Sequence, residues 1–451
     1  MSRAMCASPR RRAASRPSVG SLSNIRCYHA VAPLFFSGLV LSAACGAGAP
    51  DAARAETASG ASIESSAEQT VVRPGIEVLL SDSLHLVEGR RVGLVTNHTG
   101  MDSRGRSDID LLIEQPGVRL VALFGPEHGI RGDIQDGIAI ASDVDERTGI
   151  PVHSLYGSAS ARKPSPEQLE GLDVLLFDMQ DIGARYYTYM STMALAMEAA
   201  GENGIPFVVL DRPNPIRGDV VQGNVLDPDF STFVGMFPVP MRHGMTPGEL
   251  AGMYVGHFEI EVELHVVPID GWERSLPFDE TGLPWVAPST NMPSLTSALA
   301  YPGTCLFEGT VLSVGRGTER AFQWVGAPWI DGTSLADALN TYGFADVRFE
   351  PVTFTPETPS DAKFDGVEVH GVRVVSESSA YDAPRVAVAM LVEARKASGD
   401  RWEWTGTIDR LAGTDALRLG VDAGRTLQEL TAGWDEELRA FERLRAPYLL
   451  Y

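Results

Sequence analysis

The 451-residue sequence predicts an α/β protein: a parallel-sheet domain covered by helices, followed by a smaller α/β domain. Three observations carry this. Apolar runs rich in Val and Leu recur between Arg91 and Ile269, they show little polar alternation, and helix-like segments separate them. Strands buried on both faces read as near-continuous apolar runs, so the sheet is parallel and sandwiched between helices. The order βαβα makes three layers.

In chain order, the strand-like runs are "RVGLVTN" (91–97), "VRLVALF" (118–124), "DVLLFD" (173–178), "PFVVLD" (206–211) and "LHVVPI" (264–269). Helices are predicted near 107–115, 165–171, 190–203 and 246–257. Beyond about residue 300 the texture changes. "VRFEPVTFTP" and "GVEVHGVRVV" read as strands, and residues 407–445 read as mainly helical. The first domain is therefore placed at 73–300 and the second at 301–451. No internal repeat is visible.

Residues 1–45 read as an export signal. Six arginines (Arg3, Arg10, Arg11, Arg12, Arg16 and Arg26) precede any acid, and His29 to Ala44 is mostly apolar but short for a membrane span. "LSAAC", ending at Cys45, resembles a bacterial lipobox, with Ser42 where that pattern prefers Leu. Residues 46–72 are rich in Ala, Ser, Glu and Gly and read as a disordered tether. The expected location is the periplasm or cell envelope, with contact to the membrane only through a lipid anchor at Cys45. Three of the four cysteines belong to the leader, which leaves Cys305 without an intramolecular partner. In "YPGTCLFEGT" it reads as a small apolar filler. The net charge of −22 disfavours nucleic acid and anionic lipid surfaces.

Open parallel sheets bind ligands outside the carboxyl ends of their strands. The first strand delivers Asn97, His98 and Thr99 to that edge. The second delivers Glu127, His128, Arg131 and Asp133, and the third Asp178, Gln180, Asp181 and Arg185. The fourth delivers Asp211, Arg212 and Asn214. Each residue taken singly is equally a helix cap or a satisfied loop residue. Together they favour a site. No "GxGxxG" follows the first strand, and no P-loop or "GxSxG" elbow occurs, so no nucleotide cofactor is implied. His98, His128, His153 and His243 lie near acids, but no pair has the i,i+4 spacing of helical metal ligands, and no metal is assigned. Carboxylates beside arginines suit glycoside hydrolysis, in which a carboxylic acid protonates the leaving oxygen. Arginines suit recognition of a carboxylate on the substrate.

At these residues the sequence resembles a known family. "GLVTNHTG", "LFGPEHGIRGD", "DMQDIGARYYTYMSTM", "LDRPNPIRG", "RHGMTPGELA", "TGLPWVAPSTNMPSL", "YPGTCLFEGT", "GRGTERAF", "GAPWIDG" and "YLLY" match, in order, the exo-β-N-acetylmuramidases of bacterial peptidoglycan turnover. The match runs from about residue 75 onward. It implies a Rossmann-like catalytic domain, an auxiliary domain and an active site in the cleft between them. It also implies release of terminal β-1,4-linked N-acetylmuramic acid from the non-reducing end of peptidoglycan-derived disaccharides and muropeptides. The glutamate of "GPEHG" is the family's proposed acid and falls on Glu127, with His128 beside it. Gln222 and Val314 stand where an acid is more usual.

On this reading Glu127 is the general acid/base, and Asp178 or Asp181 the second carboxylate. Arg185, Arg212 and Arg316 are candidates for the lactyl carboxylate. Asn97, His98, Arg131, Tyr187, Asp211, Asn214 and His243 are candidates for the sugar. A metal-dependent hydrolase of another envelope substrate and a non-catalytic muropeptide-binding protein remain the alternatives.

Overall fold

The computed structural model describes residues 72–127, 129–131, 143–158 and 161–451. The expected leader and nearly all of the expected tether lie outside them, as does His128. Among the described residues no helix is long and apolar enough to cross a membrane.

The five expected runs form β1 (Arg91–Thr96), β2 (Arg119–Gly125), β5 (Val174–Asp178), β6 (Phe207–Leu210) and β9 (Leu264–Val267). Between them lie β3 (Asp143–Val144) and β4 (Pro151–Ser154), which the sequence did not announce. The seven strands run β3-β4-β2-β1-β5-β6-β9, parallel throughout except for β3 at the edge. Counting only the parallel strands by chain position, the order is 3-2-1-4-5-6. That is the doubly wound, Rossmann-type order, with its switch point between β1 and β5.

Strand periodicity assigns each apolar side chain to a face. Val92, Leu94, Val174, Leu176, Val208 and Leu210 pack with Ile76 and Leu79 of the helix Gly75–Asp82 and with Ile109 and Leu112 of the helix Asp108–Glu114. The alternate residues Val95, Leu175, Phe177, Phe207 and Val209 face the helices Tyr189–Glu202 and Pro247–Gly256. Both faces are therefore dry, which explains the runs' lack of polar alternation.

A hairpin of β7 (Gln222–Val225) and β8 (Pro240–Arg242) leads toward the second domain. There β10 (Trp324–Ala327), β11 (Val347–Phe354) and β12 (Val369–Ser376) form an antiparallel sheet in the order β10-β12-β11. The helix Ala383–Ser398 crosses the helix Leu295–Thr304 at Gly303, where a Cβ would lie 2.1 Å from the Ala383 carbonyl oxygen. Only glycine permits that approach.

The two domains share one core. A single buried apolar cluster runs from Val95 through Tyr187 and Tyr301 to Phe441. Polar bolts reinforce it. The buried Arg185 guanidinium donates to the carbonyls of Asn224 and Val239 in the first domain, at 2.9 and 3.0 Å. It also donates to Leu411 and Ala412 in the second, at 3.0 and 2.9 Å. Desolvation lowers its pKa to about 10, leaving it protonated at neutral pH. Replacing Arg185 by Met would remove a donor from four buried carbonyls, of which Val239 keeps the Leu226 N–H and Ala412 keeps the Asn224 amide. The expected cost is about 3 kcal/mol or more, from the price of stranding buried polar groups. Urea unfolding of Arg185→Met against the wild type measures it.

Candidate active site

The carboxyl ends of β1, β2 and β5 converge on one polar region. Gly125 ends β2, Pro126 turns the chain, and Glu127 emerges half-buried. The Thr188 hydroxyl, at the start of the helix Tyr189–Glu202, donates to Glu127 Oε2 at 3.5 Å. The Tyr187 and Tyr189 rings meet edge-on, their centroids 4.9 Å apart, and both hydroxyls feel the Glu127 charge. Burial, foremost, pushes both phenols up, so they stay protonated donors.

The segment entering the second domain closes over this region. Tyr189 donates to the Pro288 carbonyl at 2.6 Å, and His98 Nε2 lies 2.7 Å from the Ala287 carbonyl. The Tyr187 ring stacks edge-on against Tyr301. Farther along, Asn291 donates to the Ser360 hydroxyl at 3.3 Å. Arg316 donates to the same hydroxyl at 3.1 Å and to Glu308 at 2.6 Å. The polar residues thus sit at the junction of the two domains.

At the switch point, Arg212 forms a buried ion pair with Asp178 and donates to the Met101 carbonyl at 2.8 Å. Asp108, the first residue of its helix, lies fully buried with one oxygen 2.5 Å from the Thr96 hydroxyl. Burial and then the nearby Asp178 charge push Asp108 well above the carboxylate range. Thr96 also contacts the Asp178 carbonyl at 2.9 Å, and one hydroxyl hydrogen cannot serve both oxygens. A protonated Asp108 donating to Thr96, which donates onward to Asp178, satisfies the set.

Asn97 accepts from the Thr99 N–H and hydroxyl at 2.9 and 2.6 Å through its carbonyl oxygen. Among the described residues Asp178 Oδ2, Asp181 Oδ1 and His243 Nε2 are buried without a hydrogen-bond partner. The Asn97 amide nitrogen and the Tyr187 hydroxyl are buried beside Tyr189 and Ser289. Buried polar atoms are almost always paired, and this concentration of open ones at a sheet's carboxyl edge marks a ligand site. Among the described residues no three or more His, Cys, Asp and Glu side chains are grouped to hold a metal ion.

Two family descriptions match: Exo-beta-N-acetylmuramidase NamZ, N-terminal, over residues 92–296, and its C-terminal counterpart over residues 299–451. The chain belongs to the exo-β-N-acetylmuramidase NamZ family. It is 42% identical over 400 residues to the peptidoglycan beta-N-acetylmuramidase NamZ of Bacillus subtilis (strain 168), covering 88% of this chain and 95% of that one. Two crystal structures of DUF1343 family proteins from Bacteroides fragilis NCTC 9343 share its fold. One is 37% identical with a TM-score of 0.77, the other 32% with 0.68, and each match covers 84% of this chain and 99% of the other.

Within this NamZ-family fold, several residues expected to touch substrate are engaged by the protein instead. The four carbonyls that Arg185 binds leave it no paired donors for a carboxylate. Asn214 receives the Ile216 N–H and donates to the Met245 carbonyl, at 3.1 and 3.0 Å, so both ends of its amide are held by backbone. Arg131 pairs with Asp145 at 2.7 Å beside β3. Asp211 accepts from Thr246, Gly248, Arg212 and Tyr451 at 2.7–3.0 Å. It therefore fastens a helix start and the "YLLY" tail. Cys305 is buried, and burial pushes its thiol well up, in keeping with an unreactive filler. Gln222 bridges Arg242 and the Ala380 carbonyl at 3.0 and 2.9 Å. Asp108, Thr188, Ser289 and Asn291 were not anticipated. Asp108 and Thr188 begin helices rather than end strands. Ser289 and Asn291 lie in an aperiodic loop, although within the quoted "STNMPSL".

Burial raises the Asp211 carboxyl from about 3.8 to about 7, with hydrogen bonds from Gly248, Tyr451 and Thr246 opposing the shift. A raised folded pKa means that its stabilisation is full below the unfolded value and is lost as pH rises through about 7. Tyr451→Phe removes a donor that favours the charged form. Its destabilisation should grow from about 1 kcal/mol at pH 5 to about 2 kcal/mol at pH 8. Chemical unfolding at the two pH values tests that sign.

Proposed function

We propose that this protein is an exo-acting glycosidase releasing terminal β-1,4-linked N-acetylmuramic acid from the non-reducing end of peptidoglycan fragments. Glu127 carries the reading. It is the carboxyl group of the family's "GPEHG" motif, delivered at the end of β2 beside Thr188, Tyr187 and Tyr189. In the reaction Glu127 gives its proton to the glycosidic oxygen as the bond to the anomeric carbon lengthens. The surrounding phenols and the closing 287–291 segment keep bulk water from competing for that proton.

Of the three arginines considered for the lactyl carboxylate, Arg185 and Arg212 are engaged deep in the fold. Arg316 keeps a partly exposed guanidinium next to Ser360 and Asn291 at the domain junction. It is the most exposed of the three, and to receive the group that separates muramic acid from glucosamine it would have to trade its pair with Glu308. The aromatic lining and the amide of Asn97 suit a sugar ring and its acetamido group.

Glu127→Gln keeps the side chain's size and should lower release of N-acetylmuramic acid from a chromogenic β-muramide by about 10²–10⁴-fold. Melting behaviour should stay near wild type. Turnover close to wild type would sink the assignment. Dialysis against EDTA should leave the rate unchanged, and loss reversed by a divalent ion would favour the metal-hydrolase alternative. Saturable muropeptide binding without any product would favour the non-catalytic one.

We further propose export to the cell envelope with lipidation of Cys45, on the strength of the basic, apolar and "LSAAC" sequence features. Cys45→Ala should abolish incorporation of labelled palmitate and move the protein from the membrane to the soluble fraction of producing cells.

A further inference from the structure

The carboxyl end of β5 holds a second polar pair that the acid step leaves unused. Asp181 and His243 are 2% and 1% exposed, with His243 Nε2 at 3.4 Å from Asp181 Oδ2. The Met245 N–H donates to His243 Nδ1 at 3.2 Å. A neutral ring that accepts at Nδ1 must carry its hydrogen on Nε2, the atom facing Asp181. The Gly183 N–H donates to the same Asp181 Oδ2 at 2.8 Å. Gly183 has φ +79, and a Cβ there would lie 2.4 Å from Asn214 Oδ1, so only glycine can present that N–H.

The Gly183 N–H therefore holds Oδ2, with His243 Nε2 facing it from 3.4 Å, and among the described residues Oδ1 has no hydrogen-bond partner. Leaving one oxygen of a buried carboxylate open is costly in a folded protein unless a ligand completes it. The Tyr187 hydroxyl, buried beside Ser289 and Tyr189, feels the charges of both Asp181 and Glu127, so both carboxylates lie near it. Asp178, the other candidate, also has one open oxygen, but its carboxylate is neutralised by the buried ion pair with Arg212.

We infer that Asp181 Oδ1 is the second catalytic carboxylate oxygen, accepting the O–H or N–H of the group that attacks the anomeric carbon, with His243 as its positioning residue. This rests on the glycosidase reading above. The attacking oxygen bonds to the anomeric carbon as the glycosidic C–O bond breaks and the leaving oxygen takes the Glu127 proton. A water attacker passes its proton to Asp181. An attacking acetamido oxygen instead closes a positively charged ring whose N–H stays bonded to Asp181, and water then opens that ring. In this scheme His243 and Gly183 hold Oδ2 so that Oδ1 faces the attacker.

The test compares the wild type with Asp181→Asn, His243→Phe and His243→Gln on the chromogenic β-muramide. Asp181→Asn should lower kcat by about 10²–10⁴-fold with KM within a few-fold. His243→Phe should lower kcat about 10–100-fold with little change in KM. His243→Gln, which restores an N–H near the Nε2 position, should recover most of that loss. Thermal unfolding confirms that each variant folds, and if His243→Phe does not, Asp181→Asn decides. The first-formed anomer tells the attackers apart, α for water and β for the acetamido group. Wild-type kcat in Asp181→Asn, or equal rates for His243→Phe and His243→Gln, overturns the inference alone. A wild type that releases no muramic acid overturns the glycosidase reading and this inference with it.

Discussion

A doubly wound sheet must diverge between its first and fourth parallel strands, and the crevice left there must be polar yet dry. Here one guanidinium resolves the conflict. Arg212 meets Asp178 at the end of β5, while Asp108 and Thr96 complete the set from a helix start and the end of β1. Two buried carboxyls sharing one cation cannot both ionise cheaply, so Asp108 keeps its proton and becomes a donor. Removing any one member would strand a buried charge or hydroxyl. Asn97 and Asp181 follow the strand ends that this network fixes, and Glu127 follows β2, the neighbour of β1.

The polar residues at this edge fall into two kinds that look alike in sequence. Asp211 and Asn214 have their hydrogen-bonding capacity taken up by backbone and hydroxyl groups, as do the two terminal nitrogens of Arg185. Asp178, Asp181 and His243 each retain, among the described residues, one buried atom without a partner. The difference lies in which partners arrive from distant parts of the chain. Tyr451 reaches Asp211, and Leu411 and Ala412 reach Arg185.

This sets how much the sequence disclosed. The runs at 91–97, 118–124, 173–178, 206–211 and 264–269 were legible because burial on two faces demands Val and Leu at nearly every position. The strand β4 was not, since "PVHS" is four residues long, only partly buried and contains a proline. The helix Ala383–Ser398 escaped notice amid a segment read for its strands, although its buried stripe of Val386, Met390 and Ala394 is helical in spacing. Among site residues, position after a strand located Glu127, Asp178 and Asp181 correctly at the carboxyl edge. The same rule overreached at Asp211, because the "LDRPNPIRG" turn uses its acid to receive a helix start. It missed Asp108 and Asn291, which come from a helix start and a loop.

The bolts across the domain junction also govern how the molecule is made. Arg185 finds its acceptors 226 and 227 residues downstream, and Asp211 finds its tyrosine 240 residues downstream. Such a chain has a high contact order, so loop-closure entropy must be met before these contacts return any stabilisation. The catalytic half emerges first, but a cation and an acid in it lack their protein partners until the other half arrives. The two halves therefore mature as one cooperative unit, and neither is a freely exchangeable module.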